Sequence, residues 1–155
     1  MASDPAGKFL YVSLGGTANA NNQVAAFTVN SSTGALTSIA GSPVTVGRDP
    51  QGLAVTPDGK FLFIANFLDN TISAFSIDAA SGVLTPITGS PFTANNARSR
   101  VAIDPSGKFL DVPNNVGGNI SVFTTNASTG LLSPIAGSPF GTLTQPKDLV
   151  IVKIL

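Results

Sequence analysis

The chain contains no cysteine, no histidine, no tryptophan and no glutamate; all eight acidic residues are aspartate. Without cysteine there is neither a disulfide nor a thiolate nucleophile or ligand. Without histidine the common zinc sites are excluded, and no serine has an imidazole to activate it. Charge is scarce as well. Charged residues make up 10% of the chain, against about a quarter in ordinary domains, and eight Lys or Arg balance the eight Asp. A basic nucleic-acid footprint is therefore absent, as is an acidic tail. No apolar run approaches the roughly 18 residues of a membrane span. Residues 1–5 lack the basic segment and apolar core of a signal peptide. A soluble protein without membrane or nucleic-acid partners is expected, its compartment left open. Zero net charge with a mean hydropathy of +0.32 favours self-association.

What the chain does have is turns and short apolar runs. Its 155 residues include 16 Gly and 11 Pro, and 43% are hydrophobic, enough for the core of one compact domain. Three landmarks recur. Asp/Thr-Pro-x-Gly-Lys-Phe-Leu begins at 4, 56 and 104. A strand ending in Phe recurs as Val24–Phe27, Ile72–Phe75 and Ile120–Phe123, and Gly-Ser-Pro begins at 41, 89 and 137. The last two repeat every 48 residues, and the first steps by 52 and then 48, so four extra residues lie in a loop between Val12 and Val24. Insertions collect where backbone is exposed, which places that loop at a rim.

Each unit holds four strand candidates. In the second these are residues 53–55, 61–65, 72–77 and 83–87, separated by Pro-Gly, Asn-rich and Ser-Gly turns. Pro86, with Pro134 in the third copy, cannot donate to a ladder and marks the last strand as an edge. Four antiparallel strands at a 48-residue period predict an all-β fold of β-propeller blades, three per chain, in a single domain of residues 1–155. The repeat units are approximately 4–52, 56–100 and 104–148. Phe9, Phe61 and Phe109, with Phe27, Phe75 and Phe123, are expected to fill the layers between blades. The first copy has no strand before its turn. Residues 145–152 match residues 49–56, so the C-terminal strand 149–155 is expected to complete a first blade. Three blades do not close alone, since propellers usually have about four to eight. A homodimer with exchanged C-terminal strands, giving a six-bladed ring, is the expected assembly.

One mouth of such a ring is lined by the blade connections 45–51, 93–100 and 142–147 and the loops 14–22, 66–70 and 114–119. All three arginines fall there. Arg48, Arg98, Arg100, Asn95, Asn96 and Lys147 form the candidate ligand-binding set, joined by Gln51 and Gln145, and they suit a carboxylate or phosphate. Asp111 stands inside a strand where Tyr11 and Phe63 stand in the other copies, with Pro113 two residues on, and reads as a diverged blade before it reads as a catalytic base. No metal or cofactor is implied: there is no calcium-loop spacing, no phosphate-cradling glycine motif and no nucleophile elbow.

The runs from Gly7 to Val12, Gly59 to Asn66 and Gly107 to Asn114, with those from Val24, Ile72 and Ile120 to the Gly-Ser-Pro triplets, resemble the seven-bladed lactonase-like propellers, of the 6-phosphogluconolactonase and YVTN-repeat type. The resemblance implies hydrolysis of a sugar-acid lactone by Glu, His and Arg at one mouth of the channel. This chain has no Glu or His to take those roles. The expectation is therefore a self-assembling propeller scaffold or fragment without evident catalytic machinery, closer to a binding module than to an enzyme, whose mouth holds a small anion or a protein. The alternative is a lactone hydrolase in which Asp49, Asp111 or Asp148 replaces the missing groups.

Overall fold

The computed structural model describes residues 1–15, 22–94, 100–115, 117–142 and 146. They form fifteen short strands in three antiparallel sheets. The first sheet contains β1 (Ala2–Ser3), β2 (Phe9–Leu14), β3 (Gln23–Val29), β4 (Leu36–Ser38) and β5 (Val44–Thr45). The second contains β6 (Pro50–Val55), β7 (Phe61–Asn66), β8 (Thr71–Ile77), β9 (Leu84–Pro86) and β10 (Phe92–Thr93). The third contains β11 (Ala102–Ile103), β12 (Phe109–Asn114), β13 (Asn119–Thr125), β14 (Leu132–Pro134) and β15 (Phe140–Gly141). Each sheet is a blade of the four-stranded kind whose outermost strand is broken in two. In the first blade β4 pairs with the far half of β3 and β5 with its near half, and the other blades repeat this. Among the described residues no helix is long and apolar enough to cross a membrane.

The landmarks now have physical causes. At the head of each first turn a side-chain oxygen gathers the backbone amides that the turn leaves over. Asp4 accepts from Phe9 N (2.6 Å), Thr56 from Phe61 N (3.0 Å) and Asp104 from Phe109 N (2.7 Å). The glycine three residues on donates to the backbone carbonyl of that head residue with φ between 67° and 73°, a range other residues rarely adopt. Gly-Ser-Pro marks the break in the outer strand. There the Ser42, Ser90 and Ser138 hydroxyls accept from the amides of Ala26, Ala74 and Val122 (2.8–2.9 Å), which the broken strand cannot serve. The Ser–Pro bond is cis in all three copies.

Alternation along the strands gives each blade two apolar faces. The leading face carries Phe9 and Tyr11, Phe61 and Phe63, and Phe109 and Asp111. The trailing face carries Leu10 and Val12, Leu62 and Ile64, and Leu110 and Val112. The leading face of the first blade packs on the trailing face of the second, burying Phe9, Tyr11, Ile39, Leu62, Ile64 and Phe75. The leading face of the second packs on the trailing face of the third, burying Phe61, Phe63, Ile87, Leu110, Val112 and Phe123. The six phenylalanines expected between blades thus divide. Four are buried in these layers, whereas Phe27 and Phe109 are half-exposed on the two blade faces against which no other described blade packs. The inner strands converge, with β6 lying against both β1 and β11.

One expectation is corrected. The first blade does not lack an inner strand: Ala2 and Ser3 pair with Tyr11 and Leu10, in the register that Ala102 and Ile103 take with Asp111 and Leu110. A two-residue run beside a chain end has no periodicity to reveal it. Pro113, in the third blade, sits inside a continuous strand. β12 keeps register through Val112, Pro113 and Asn114 opposite Ser121, Ile120 and Asn119. Lys108 accepts from Thr125 N on the β13 side. By alternation Pro113 therefore turns its missing N–H to the inner edge, beyond the two residues of β11. The C-terminal strand 149–155 lies outside the described residues.

Candidate functional site

The ends of the sheets differ in chemistry. The turn end holds the Pro-Gly turns. The linker end, six residues of β7 or about 20 Å away, holds the connections between blades and the loops after each second strand. Here the chain brings together Asn22, Arg48, Asp49, Gln51 and Asp69. Asp69 binds Arg48 twice, accepting from its backbone N (2.7 Å) and from Nε (2.5 Å). Those two bonds, backbone first and then side chain, hold the Asp69 carboxyl below the usual carboxylate range against a smaller opposing effect of burial. The clamp fixes the inner edge of a guanidinium whose side chain is 55% exposed.

Asp49 adopts φ 53°, a left-handed conformation that few residues other than glycine, Asn and Asp tolerate. It is held there from both sides. Its N–H donates to Asn22 Oδ1 (3.1 Å), and its carbonyl accepts from Phe67 N (3.0 Å). Gln51 Nε2 donates to Asp49 Oδ2 (3.1 Å). Gly15 passes so close that a Cβ there would lie 3.2 Å from Asp49 Oδ1 and 3.1 Å from Pro50 O. A strained acidic residue kept in place by three elements is a feature that functional sites share.

Behind this surface lies a buried amide shelf. Asn66 Nδ2 donates to Thr71 Oγ1 and Ser73 Oγ (3.0 and 2.8 Å), and Asn114 repeats the pattern with Asn119 and Ser121 (2.6 and 2.8 Å). Both Oδ1 atoms are buried with no partner among the described residues. Gly47 seals the shelf, since a Cβ there would come within 2.6 Å of the Asn66 side chain. The first blade has Leu14, Gln23 and Ala25 in these places and no shelf.

Of the residues singled out in the sequence, Arg48 lies at the linker end with Asp49 and Gln51, and Arg100 is exposed just before β11. Asn95, Asn96, Arg98, Lys147, Gln145 and Asp148 lie outside the described residues. Asp111 does not join the group. It sits midway along β12 on the leading face of the third blade, where burial and then repulsion from Asp104 raise its carboxyl above the usual range. Asn22 and Asp69 went unrecognised. Asp69 reads as an ordinary turn residue in sequence, and only the spacing of the two loops brings it to Arg48. Among the described residues no group of acidic side chains suits a metal ion.

The family described as "Lactonase, 7-bladed beta-propeller" matches residues 1–93 and 44–144. A 6-phosphogluconolactonase of Formosa agariphila is 41% identical over 66 residues, 43% of this chain and 18% of that protein. A 6-phosphogluconolactonase candidate from Bacteroides uniformis superposes with a TM-score of 0.78 at 26% identity, over 94% of this chain and 40% of its own. The periplasmic gluconolactonase of Pseudomonas aeruginosa shares the fold, with a TM-score of 0.81 at 22% identity over 99% of this chain and 42% of its own. The chain thus spans well under half the length of these relatives. The matches overturn the expectation of a non-catalytic scaffold, because family, sequence relative and solved structures all point to lactonases. Absence of His and Glu from three blades was too narrow a ground for reading the chain as no enzyme. The chain belongs to the lactonase family of seven-bladed β-propellers.

Proposed function

We propose that this chain forms part of a lactone hydrolase of the 6-phosphogluconolactonase kind, with its active surface at the linker end. The reaction is addition of water to the ester carbonyl of a sugar-acid lactone and opening of the ring to the hydroxy acid. The observation that carries the reading is the family match along residues 1–144, taken with the held, left-handed Asp49 at the linker end. Asp49 is the group that accepts the proton of the attacking water, and Gln51 orients its carboxylate. Arg48, positioned by Asp69, and Arg100 bind the anionic part of the substrate. Asn95, Asn96, Arg98 and Lys147 extend that cationic, amide-rich surface. The test is hydrolysis of 6-phosphoglucono-δ-lactone followed by proton release. Turnover above the spontaneous rate is expected, falling about 10²–10⁴-fold in Asp49→Asn. Unchanged turnover in a folded Asp49→Asn chain would remove Asp49 from the mechanism.

The two uncovered faces favour a particular way of completing the ring. Inside the chain a leading face always receives a trailing face, and among the described residues the faces left free are one of each: leading on the third blade, trailing on the first, where Leu36 is 50% exposed. Residues 1–155 then act as one three-blade domain, and two copies close a six-bladed ring through two identical interfaces. In that ring strand 149–155 of each copy takes the inner edge of the partner's β2 in place of the short β1. A mass twice 15.6 kDa, lost on truncation before Gln145, is the expected outcome by light scattering. A folded monomer contradicts the closure but not the lactonase reading.

A further inference from the structure

The two interfaces inside the chain come from one repeat, yet only one is sealed at the turn end. Between the first and second blades Ile77 is buried in one cluster with Phe9, and Lys8 Nζ crosses to the carbonyls of Ala79 and Ala80 (3.3 and 2.9 Å). Between the second and third blades the corresponding residues are Thr125 and Lys60. Thr125 is smaller than Ile77. Lys60 turns back onto Asp58 Oδ2 (3.1 Å). What opens is a groove of about 260 Å³, walled by Pro57, Asp58, Phe61, Ser106, Thr125 and Ala127. Thr125 is 7% exposed, and its Oγ1 is buried with no hydrogen-bond partner among the described residues.

We propose that this groove binds a neutral polyhydroxylated molecule of about monosaccharide size. Its volume falls just below the range, roughly 300–1,000 Å³, of sites for drug-sized ligands. Pro57, Phe61 and Ala127 offer apolar wall to the C–H face of such a molecule. The orphaned Thr125 hydroxyl lacks a partner that a ligand hydroxyl supplies after rotation about χ1, and an unmet buried polar group is costly. Asp58 and Ser106 add hydroxyl-binding oxygens at the rim. The charge pattern selects against ions. Lys60 neutralises Asp58, an anion would meet that carboxylate, and a calcium ion seeking about six to eight oxygens would find one carboxylate on the wall. The groove lies at the opposite end of the strands from Asp49, so it stands independently of the lactonase reading.

The test is a titration of the 155-residue chain with D-glucose, xylitol and glycerol, each to about 100 mM, well above a millimolar dissociation constant. It is followed in proton–nitrogen correlation spectra. Saturable shifts of the Gly107, Thr125 and Ala127 amides are expected with glucose or xylitol. They vanish in Thr125→Ile, a residue the first interface already accommodates as Ile77. They weaken about five-fold in Thr125→Val, which keeps the shape and loses one hydrogen bond. Non-saturating shifts with all three probes, or saturable shifts that persist in Thr125→Ile, overturn the proposal; in the first case the hydroxyl is met by water alone.

Discussion

The first blade meets the second much as the second meets the third, and the differences between these interfaces show what the repeat dictates and what it leaves free. Shared are the phenylalanine layer and one glycine per interface. A Cβ on Gly82 would lie 2.5 Å from the Phe9 ring and 2.7 Å from Ile39; on Gly130 it would lie 2.7 Å from Phe61 and 2.4 Å from Ile87. Each glycine is both a turn residue at positive φ and the floor on which the preceding blade's phenylalanine rests. Not shared are the groups around that floor. The first interface has a phenol, an isoleucine and a bridging lysine. The second has Phe63, Thr125 and a lysine turned away. Blade geometry survives these changes, so they are where one interface acquires a property the other lacks.

The shared element can be broken first, with the largest effect. Gly82→Ala and Gly130→Ala should each cost about 2–5 kcal/mol by chemical denaturation, combining overpacking of about 1–3 with a left-handed strain of about 1–2 kcal/mol. Gly34→Ala is the control. It has the same positive φ (+72°), but nothing lies within 4 Å of its Cβ, so only the strain of about 1–2 kcal/mol remains. Equal costs at all three sites would mean that the blades do not rest on these glycines.

Exchanging the residues that differ sharpens the comparison. Ile77→Thr should open the first interface and cost about 1–3 kcal/mol in lost apolar burial. Thr125→Ile should close the second and gain about 1 kcal/mol. Loss of stability in Thr125→Ile would mean that the groove cannot accept the added methyl group. Lys8→Ala gives a smaller effect, about 0.5–1 kcal/mol, because its two bonds to the 78–82 turn are exposed.

Alkali should also tell the interfaces apart. Tyr11 is fully buried and donates to Gly82 O (3.1 Å). Burial first, and the nearby Asp4 carboxylate second, push its phenol well above 10.0. A group whose folded pKa exceeds its unfolded value contributes stability that is intact below the unfolded pKa. That stability is lost as pH rises through the folded one. Stability should therefore fall as pH climbs above 10, and Tyr11→Phe should flatten the decline. Phe63, its counterpart at the second interface, has no proton to lose. An unchanged alkaline profile in Tyr11→Phe would place the sensitive group elsewhere.

These contrasts also mark what could be read from the sequence. The period, the blade strands, Pro86 and Pro134 as edge markers and the lactonase resemblance were legible because they recur residue by residue. The split of the outer strand was not, because Phe92–Thr93 resembles a connection until Ser90 is seen to serve the Ala74 amide at the break. The pairing of Arg48 with Asp69 joins two loops 21 residues apart that share no pattern. The Thr125 groove was hidden for a related reason. Thr125 for Ile77 is an unremarkable exchange until one knows which face of the third blade meets the second. Asp111 reads in sequence as a diverged position of the third blade, and its strand position alone does not say that it lies on that blade's leading face.

The most direct measurement is lactonase activity read across a gel-filtration profile of the whole chain, with mass from light scattering at each point. The account predicts hydrolysis of 6-phosphoglucono-δ-lactone that coincides with a folded species of twice 15.6 kDa and is lost in Asp49→Asn. Folded protein at that mass with no hydrolysis above the spontaneous rate would contradict it.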